Sequence, residues 1–332
     1  MQSIQQMIQT VLENPKAVVL AIIVNVEGSS YRKEGTWMLI QEDGKRIGVI
    51  SGGCLENDIH ERANDLFNTG KAEIMQYDLR AEDDLGWGRG MGCNGIVTVF
   101  LRDIDSDYRS FLDFAQKRLL ANEPMYIIHS IKKFNQYGCI DQQGKVFGTI
   151  ELEIPQLSDE LLPFQTITNS LINDDDVFFF QLIWPQPKLY IVGAGIDAQP
   201  LAHLAERVGY AVHLFDWRSE LCNKKNFPSA TSFHVGDVEE LISNVLFNPL
   251  DSVVLMTHDF QLDAKIIQHL LQCETLYIGV LGSKERTARL LGKNIPSKIH
   301  SPVGLSIGAD GPEEIAVSIV AELIAQRQGK ML

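Results

Sequence analysis

The sequence predicts an α/β protein, with an N-terminal mixed α+β domain followed by a C-terminal Rossmann-like domain built on a doubly wound parallel sheet. The chain has 332 residues, more than the roughly 100 to 200 residues of one ordinary domain. From residue 188 onward, strands that are apolar throughout alternate with helical segments, which is typical of a parallel sheet covered on both faces. Before residue 155, helices are mixed with strands joined by short glycine-containing turns, which favours antiparallel hairpins.

The N-terminal domain is predicted to span residues 1–155. It begins with the helical spacing of SIQQMIQTVLEN and the buried strand AVVLAIIVNVEG. The strands TWMLIQEDG and KRIGVISGG flank a turn and predict a hairpin, and CLENDIHERANDLFNTG predicts a helix that ends at Gly70. The strands KAEIMQYDLR and IVTVFL, a helix, a further strand and a hairpin through Gly144 complete the domain.

The C-terminal domain is predicted to span residues 188–332, after an acidic, proline-containing connecting segment at 156–187. Its strands KLYIVGAG, YAVHLFDW, DSVVLMTH and TLYIGVLGS are accompanied by helices such as DAQPLAHLAERVG and QLDAKIIQHLLQ. The last helix has Pro312 in its first turn, where a missing N–H is tolerated, with acidic residues beside it.

The charge of the chain disfavours two classes of partner. It has 43 acidic and 29 basic residues, a net charge of -14 at pH 7, which opposes binding to nucleic acid and to anionic lipid. Its first residues lack the basic and apolar regions of a signal peptide, and no apolar run reaches the roughly 20 residues of a membrane span. We therefore predict a cytoplasmic protein with no nucleic acid partner and no integral membrane segment.

The five cysteines are scattered and include no C-x-x-C pair. This pattern disfavours a disulfide framework, a zinc finger and iron–sulfur clusters, which need four ligands each. Most free cysteines are small buried hydrophobic residues, and we expect this of Cys139 and Cys273.

Two of the remaining cysteines lie in glycine-rich loops. Gly52 and Gly53 precede Cys54 in SGGCLE, and Gly92 precedes Cys93 in GWGRGMGCNG. Glycines allow close approach of the backbone and expose amide donors, so these loops can cradle a polar ligand. A thiol that opens a helix is favoured as the reactive thiolate. The alternative is that the glycines form a tight turn and the thiol packs into a small core.

Positive charge for such a ligand is expected from two arginines in neighbouring loops. Arg32 lies in GSSYRKEG and Arg89 in GWGRGMGCNG. The first loop also contains Lys33, and Arg80 precedes the second. A soft thiolate in such a loop could bind or transfer sulfur, or ligate a thiophilic metal centre.

The first strand of the C-terminal domain leads into a Rossmann fingerprint. Gly193 and Gly195 have the G-x-G spacing, with Ala198 in the third position, and Asp216 ends the next strand where a ribose hydroxyl would be bound. Asp197, however, places a carboxylate where a pyrophosphate would need the positive end of the helix dipole. Two interpretations stay open: the domain binds NAD(P) or another nucleotide, or it is a scaffold whose strand ends face a different ligand.

The loops after the fourth and fifth strands of this domain carry further candidates. His258 follows the fourth strand and is either a general base or a residue that ties its loop to the sheet. Gly282 and Ser283 follow the fifth strand and open a helix, a suitable place for an anion.

The segments SGGCLE, GMGCNGIVTV, FDWR, VVLMTHDFQLD, YIGVLGSKER and SPVGLSIGADGPEEIAVSIVAELIA together resemble the XdhC/CoxI family, accessory proteins of xanthine dehydrogenase and carbon monoxide dehydrogenase. The resemblance covers nearly the whole chain. It implies a protein that binds the molybdenum cofactor, protects it, helps it receive sulfur from a cysteine desulfurase and inserts it into a xanthine dehydrogenase-type apoenzyme. It also points to a homodimer, the commonest oligomer. The implied protein is a maturation factor and not an independent oxidoreductase.

The resemblance places the family's cysteine motifs on Gly52, Gly53 and Cys54 and on 92–95. Ile196 stands where many members have histidine, and Asn94 where they often have glycine. The predicted catalytic residues are Cys54, Cys93, Glu56 and His258, with both cysteines as contacts for molybdenum or its sulfido ligand. The predicted cofactor-binding residues are Gly52, Gly53, Cys54, Arg32, Arg89, Gly92, Cys93, Gly193, Gly195, Asp216, Gly282 and Ser283.

Two other functions are compatible with the residues alone. The first is an NAD(P)-dependent oxidoreductase that uses the Rossmann-like domain with His258 as acid or base. The second is a non-catalytic assembly scaffold, for which neither Cys54 nor Cys93 would matter.

Overall fold

A computed structural model describes residues 3–80, 94–141, 144–150, 168–173, 176–292 and 294–329. The chain divides into an N-terminal unit, Gln2–Pro185, and a C-terminal unit, Gln186–Leu332.

The N-terminal unit contains two five-stranded antiparallel sheets. The strand order is β3-β2-β1-β5-β4 in the first sheet and β8-β7-β6-β10-β9 in the second. The elements are α1 (Ile4–Glu13), β1 (Val18–Ser29), β2 (Trp37–Gln41), β3 (Arg46–Gly48), α2 (Glu56–Asn64), β4 (Ala72–Asp78), β5 (Asn94–Asp103), α3 (Ser106–Leu120), β6 (Met125–Ser130), β7 (Tyr137–Ile140), β8 (Val146–Gly148), β9 (Thr168–Asn173) and β10 (Asp176–Ile183).

One hydrophobic core joins these two sheets. It contains side chains of α1, α3 and strands of both sheets, among them Ile8, Leu20, Leu39, Phe111, Ile127 and Phe179. Within it, the buried amide of Gln181 on β10 accepts a 2.8 Å hydrogen bond from Trp37 Nε1 and donates a 2.7 Å bond to the Gly35 carbonyl oxygen. A buried polar side chain needs such partners, so Gln181 fastens β10 to the first sheet.

Two details differ from the sequence expectation. The composition of 156–187 predicts a connecting segment, yet β9 and β10 lie inside it and belong to the second sheet. The reason is that β10 fills the gap beside β6 and its alternate side chains are buried in the core. Helix α2 begins two residues after Cys54 and ends at Asn64, and the chain then turns through Asn68, which has a left-handed backbone conformation, before it reaches Gly70.

The C-terminal unit contains a six-stranded parallel sheet of order β13-β12-β11-β14-β15-β16. The sheet order confirms the doubly wound fold class, since β11 and β14 flank the point where the strand order reverses. The elements are β11 (Lys188–Val192), α4 (Ala198–Arg207), β12 (Ala211–Asp216), β13 (Ser232–Val235), α5 (Val238–Ser243), β14 (Ser252–Leu255), α6 (Phe260–Leu270), β15 (Tyr277–Val280), α7 (Lys284–Leu291), β16 (Ile299–His300) and α8 (Gly311–Arg327).

Candidate functional site

The first candidate site is the Gly–Cys loop, residues 51–55, which connects β3 to α2. Gly52 and Gly53 have φ angles of 76° and 124°, in the region where a side chain is strained. A Cβ atom on Gly52 would also lie 3.5 Å from the ring of Tyr31. The tight turn therefore requires both glycines, in agreement with the turn interpretation of the sequence. Gly53 has open space beside it.

The buried carboxylate of Glu56 holds this loop in shape. It accepts hydrogen bonds from the amides of Ile50, Ser51 and Gly53 at 3.1, 2.8 and 2.8 Å and from Ser51 Oγ at 2.6 Å. Burial raises the pKa of the Glu56 carboxyl, but the hydrogen bonds from Ser51 and Gly53 outweigh it and leave the pKa below its ordinary value. Glu56 thus acts as a fixed anionic clamp, a positioning role that the sequence did not predict.

Cys54 lies at the apex of the clamped loop. Its side chain is partly buried against the core between the first sheet and α2, and its sulfur is 3.8 Å from the Ser51 carbonyl oxygen. It is less buried than Cys139 and Cys222, which lie in hydrophobic cores. Cys54 as a residue is therefore partly exposed to solvent.

The loop that carries Arg32 is next to the Gly–Cys loop. Tyr31 is the residue that Gly52 approaches, and the Arg32 guanidinium is 5.7 Å from the centre of the Tyr31 ring. At the same end of the sheet, Ser29 of β1 pairs with Asn94, the first residue of β5. The structure therefore brings together the Arg32 loop and the Gly–Cys loop, and Asn94, near the end of the third predicted loop, lies at the same end of the sheet. Arg89, Gly92 and Cys93 lie outside the described residues.

The second candidate site is the crevice between β11 and β14, where the Rossmann fingerprint lies. Gly193 has a φ of 109°, and a Cβ there would be 2.3 Å from the Met256 carbonyl oxygen, so only glycine allows the two strand ends to pack this closely. Gly195 is less constrained, because its Cβ would meet only the side-chain oxygen of Asp197, at 2.5 Å. Gly193 is therefore the glycine that the packing of the two strand ends requires.

Asp216, which the sequence predicts to bind a ribose hydroxyl, is fully buried and already engaged. Its two oxygens accept hydrogen bonds from the amides of Ala194 and Arg218, at 2.6 and 2.8 Å, and from the Arg218 guanidinium at 2.9 and 2.8 Å. Burial raises the pKa of Asp216, but its bonds to Arg218 and Ala194 hold the pKa below the ordinary value. Arg218, two residues along the chain, was the signal in the sequence for this pairing.

His258 and Asp197 meet at the crevice. His258 Nε2 is 2.8 Å from Asp197 Oδ2, at the start of α4. His258 has a φ of 60°, uncommon for a residue with a side chain, and its side chain is 66% exposed. The pair ties the loop after β14 to the start of α4, which is the structural alternative considered for His258. It also places a carboxylate where a pyrophosphate would sit.

We expect no saturable binding of NAD⁺ or NADP⁺ at millimolar concentration, because both Asp216 and the start of α4 are occupied by the protein's own groups. Isothermal titration with each nucleotide checks this. Saturable binding that is weakened by Gly193→Ala, but not by a control substitution of the exposed His203, would show instead that the crevice opens for a nucleotide.

The third candidate place is the loop after β15. Ser283 Oγ accepts the amide of Arg286 at 3.2 Å and so caps α7. Arg286 in turn donates to Asp263 Oδ2 at 2.7 Å, and the Asp263 side chain is 2% exposed. The Ser283 hydroxyl therefore has a structural task, and Gly282, with a φ of 120°, makes the turn into the helix.

Among residues 3–80, 94–141, 144–150, 168–173, 176–292 and 294–329, no group of three or more histidine, cysteine or acidic side chains is arranged to hold a metal ion. Within the same ranges, no helix has the length and apolar character needed to span a membrane.

Comparison with known proteins identifies the family. Residues 11–78 match the XdhC and CoxI family, and residues 189–323 match the XdhC Rossmann domain. A Bacillus subtilis (strain 168) protein, named as a probable subunit of xanthine dehydrogenase, is 41% identical over 323 residues, which cover 97% of this chain and 97% of that protein. This chain belongs to the XdhC/CoxI family. The resemblance seen in the sequence motifs is thereby confirmed.

Two further proteins that this chain resembles extend the comparison. The molybdenum cofactor insertion chaperone PaoD of Escherichia coli (strain K12) is 26% identical over 325 residues, covering 95% of this chain and 85% of that protein. A crystal structure described as a xanthine dehydrogenase from Bacillus halodurans has a TM-score of 0.86 and 38% identity, covering 99% of this chain and 97% of that chain. The XdhC and CoxI match includes the Gly–Cys loop, and the XdhC Rossmann match includes the crevice.

Proposed function

We propose that this member of the XdhC/CoxI family is a molybdenum cofactor-binding accessory protein. It protects the cofactor, assists its sulfuration and inserts it into a xanthine dehydrogenase-type molybdenum hydroxylase. The names of the relatives support this role: one is a molybdenum cofactor insertion chaperone and another a probable xanthine dehydrogenase subunit. The proposed partners are a xanthine dehydrogenase-type apoenzyme and a cysteine desulfurase, and the proposed form is a cytoplasmic homodimer.

The clamped Gly–Cys loop is the observation that carries the proposal. The cofactor is a cargo with soft sulfur atoms, a metal that binds thiolates and an anionic phosphate, so it needs a soft ligand and donors. Cys54, a partly exposed residue, offers a thiol on a backbone that Glu56 holds rigid. Arg32 lies in the adjacent loop. These residues fit a sulfur-rich anion better than a hydride-transfer cofactor.

In this role each described residue has one task. Glu56 fixes the loop through its hydrogen bonds to Ser51 and Gly53. Gly53, beside which space is open, lets the cargo approach the backbone. Cys54 contacts the molybdenum or its sulfido ligand, and Cys93, outside the described residues, is proposed to do the same from the third loop. Arg32 and Arg89 balance the negative charge of the cargo.

Cofactor retention tests the proposal. The purified full chain is mixed with molybdenum cofactor and separated by gel filtration, and pterin and molybdenum are quantified in the protein peak. We expect retention by the wild type, a loss of about tenfold or more for Cys54→Ala or Cys93→Ala, and no loss for the control Cys273→Ala. Retention by none of these proteins, the wild type included, would refute the proposed function.

Two outcomes distinguish the alternatives. Retention that is unchanged in both cysteine variants, together with binding of apoenzyme, would favour the non-catalytic scaffold. Turnover of a nicotinamide nucleotide that is lost in His258→Gln would favour the oxidoreductase. The bonds that Asp197 and Asp216 already make within the protein disfavour this alternative.

A further inference from the structure

We propose that a cavity in the C-terminal unit, at the carboxyl ends of β15 and β16, binds the phosphate end of a phosphomonoester. The cavity is a different site from the Gly–Cys loop, and only the pterin alternative below rests on the proposed function. Two sources of this chemistry are considered: a free nucleoside monophosphate, or the phosphate-bearing pterin of the molybdenum cofactor.

The cavity has a volume of about 540 Å³, within the usual range of about 300 to 1,000 Å³ for small-molecule sites. Its walls come from the start of α7, from the loop 302–309 and from α8. Leu281, Val303 and Ile315 supply apolar surface. A ligand with an apolar or aromatic body of nucleoside size fits such a lining better than a bare inorganic ion.

The polar groups of the cavity are donors suited to a phosphate. Lys284 lines it with an exposed ammonium group, and Ser306 lines it with an exposed hydroxyl. Neither side chain makes a hydrogen bond or salt bridge with another residue that the structure describes. Gly308 has a φ of 74° and open space beside it, so its backbone is accessible. A phosphomonoester, with several acceptor oxygens and negative charge, satisfies donors of this kind.

The cavity loop is held rigid from behind. The Glu322 carboxylate accepts the Gly304 amide at 2.7 Å and also bonds to Tyr277 and His300. The Leu305 amide donates to the Ser318 carbonyl oxygen at 3.2 Å. A loop fixed in this way is preorganised, which reduces the ordering cost of binding.

The remaining charges around the cavity determine how a bound ligand is oriented. The start of α8 is acidic, with Asp310, Glu313 and Glu314, and the Asp310 amide donates to Glu314 at 2.9 Å. The pKa of Glu285, in the first turn of α7, is lowered first by its own backbone N–H and then by the Ser283 hydroxyl, with a smaller effect of the neighbouring Lys284. An anion is therefore favoured beside Lys284 and Ser306 and disfavoured near α8. The body of the ligand then lies along the apolar wall.

The strand order places this cavity at the same sheet edge as the crevice. Open α/β sheets bind ligands at the carboxyl ends of their strands. At the reversal point between β11 and β14 the protein's own Asp197 and His258 occupy the space. A cavity lies beside the neighbouring ends of β15 and β16, so this part of the edge offers room for a ligand.

Binding measurements on the full chain test the inference. The probes are AMP, inorganic phosphate and the phosphate-bearing pterin released from a purified molybdenum enzyme, and binding is followed by isothermal titration and by protection against thermal unfolding. In a Cys54→Ala background, in which the Gly–Cys loop is expected not to retain the pterin, we expect Lys284→Ala to weaken binding about tenfold, Lys284→Arg to recover most of it, and Ser306→Trp, which fills the cavity, to abolish it. Lys265→Ala, which alters an exposed lysine of α6, is the control.

Each outcome decides one point. Binding of AMP alone assigns the site to a nucleotide, and binding of the pterin alone assigns it to the cofactor. Binding of inorganic phosphate as tight as that of the larger probes would overturn the role of the apolar wall. Binding of every probe unchanged in Lys284→Ala and Ser306→Trp, or no binding by folded wild type, would overturn the inference. Cofactor retention that depends on Cys54 would still stand.

Discussion

Glu56→Ala destabilises the N-terminal unit by about 3 kcal/mol and abolishes cofactor retention. The substitution leaves three amides and one hydroxyl of the Gly–Cys loop without their buried acceptor, and each unsatisfied buried donor costs about 1 to 3 kcal/mol. Part of this cost is recovered when water enters the loop. Urea unfolding followed by hydrogen exchange of the Ser51 and Gly53 amides measures the change.

Two variants sharpen this test. Glu61→Ala removes an exposed carboxylate from the same helix and is expected to change the free energy of unfolding by less than about 0.5 kcal/mol. Glu56→Gln keeps one acceptor but loses the charge, so an intermediate loss is expected. If Glu56→Ala unfolds like Glu61→Ala and keeps its cofactor, the carboxylate does not clamp the loop.

Acidification from pH 7 to pH 4.5 removes several kcal/mol of stability through buried neutral histidines. Burial, and in second place the nearby Arg102, lowers the pKa of His129 to about 3, and burial lowers the pKa of His213 to about 4. In the unfolded chain both titrate near 6.5. Between about pH 6.5 and these folded values the unfolded chain binds more protons, so stability is complete above this window and falls as the pH drops through it.

His129 and His213 are each expected to contribute about 3 kcal/mol at pH 4.5, because both folded pKa values lie below that pH. Calorimetric unfolding between pH 7.5 and pH 4.5 measures the slope. His129→Gln, which can still bond to Tyr108, should flatten the slope, whereas the control His203→Gln, on the exposed side of α4, should not. Equal slopes in wild type and His129→Gln would contradict the prediction. Glu56 and Asp216 have lowered pKa values, so their contribution to the free energy of unfolding is lost only below about pH 4.5.

Most of the fold was predictable because it depends on local patterns. The alternation of apolar strands and helices after residue 188 predicted the parallel sheet, and glycine turns predicted the hairpins β2–β3 and β7–β8. The place of β9 and β10 was not predictable, because the acidic and proline-containing composition around them is typical of a linker. The pairing of β10 with β6, and of β9 with β10, depends on a core that the sequence does not display.

The sequence predicted which residues form the candidate sites, but not all of the groups that these residues contact. The glycine spacing identified the loops at Gly52 and Gly193. In the structure both glycines have positive φ angles, and Gly193 also packs closely against backbone. The clamping role of Glu56 could not be predicted, because a carboxylate's role is set by donors that reach it in three dimensions. Each carboxylate accepts an amide of a neighbouring glycine loop, Gly53 for Glu56 and Ala194 for Asp216. Asp216 also accepts the guanidinium of Arg218, which the sequence places two residues away.

The pairing of β10 with β6 has a consequence for synthesis on the ribosome. Strand β6 ends at Ser130, but its neighbour is complete only at Ile183. A nascent chain that has emerged to residue 150 exposes one edge of β6 and the apolar faces that β10 later covers. Unpaired edges of this kind are where chains associate wrongly. The second sheet of the N-terminal unit therefore closes late, just before the first strand of the Rossmann domain is translated.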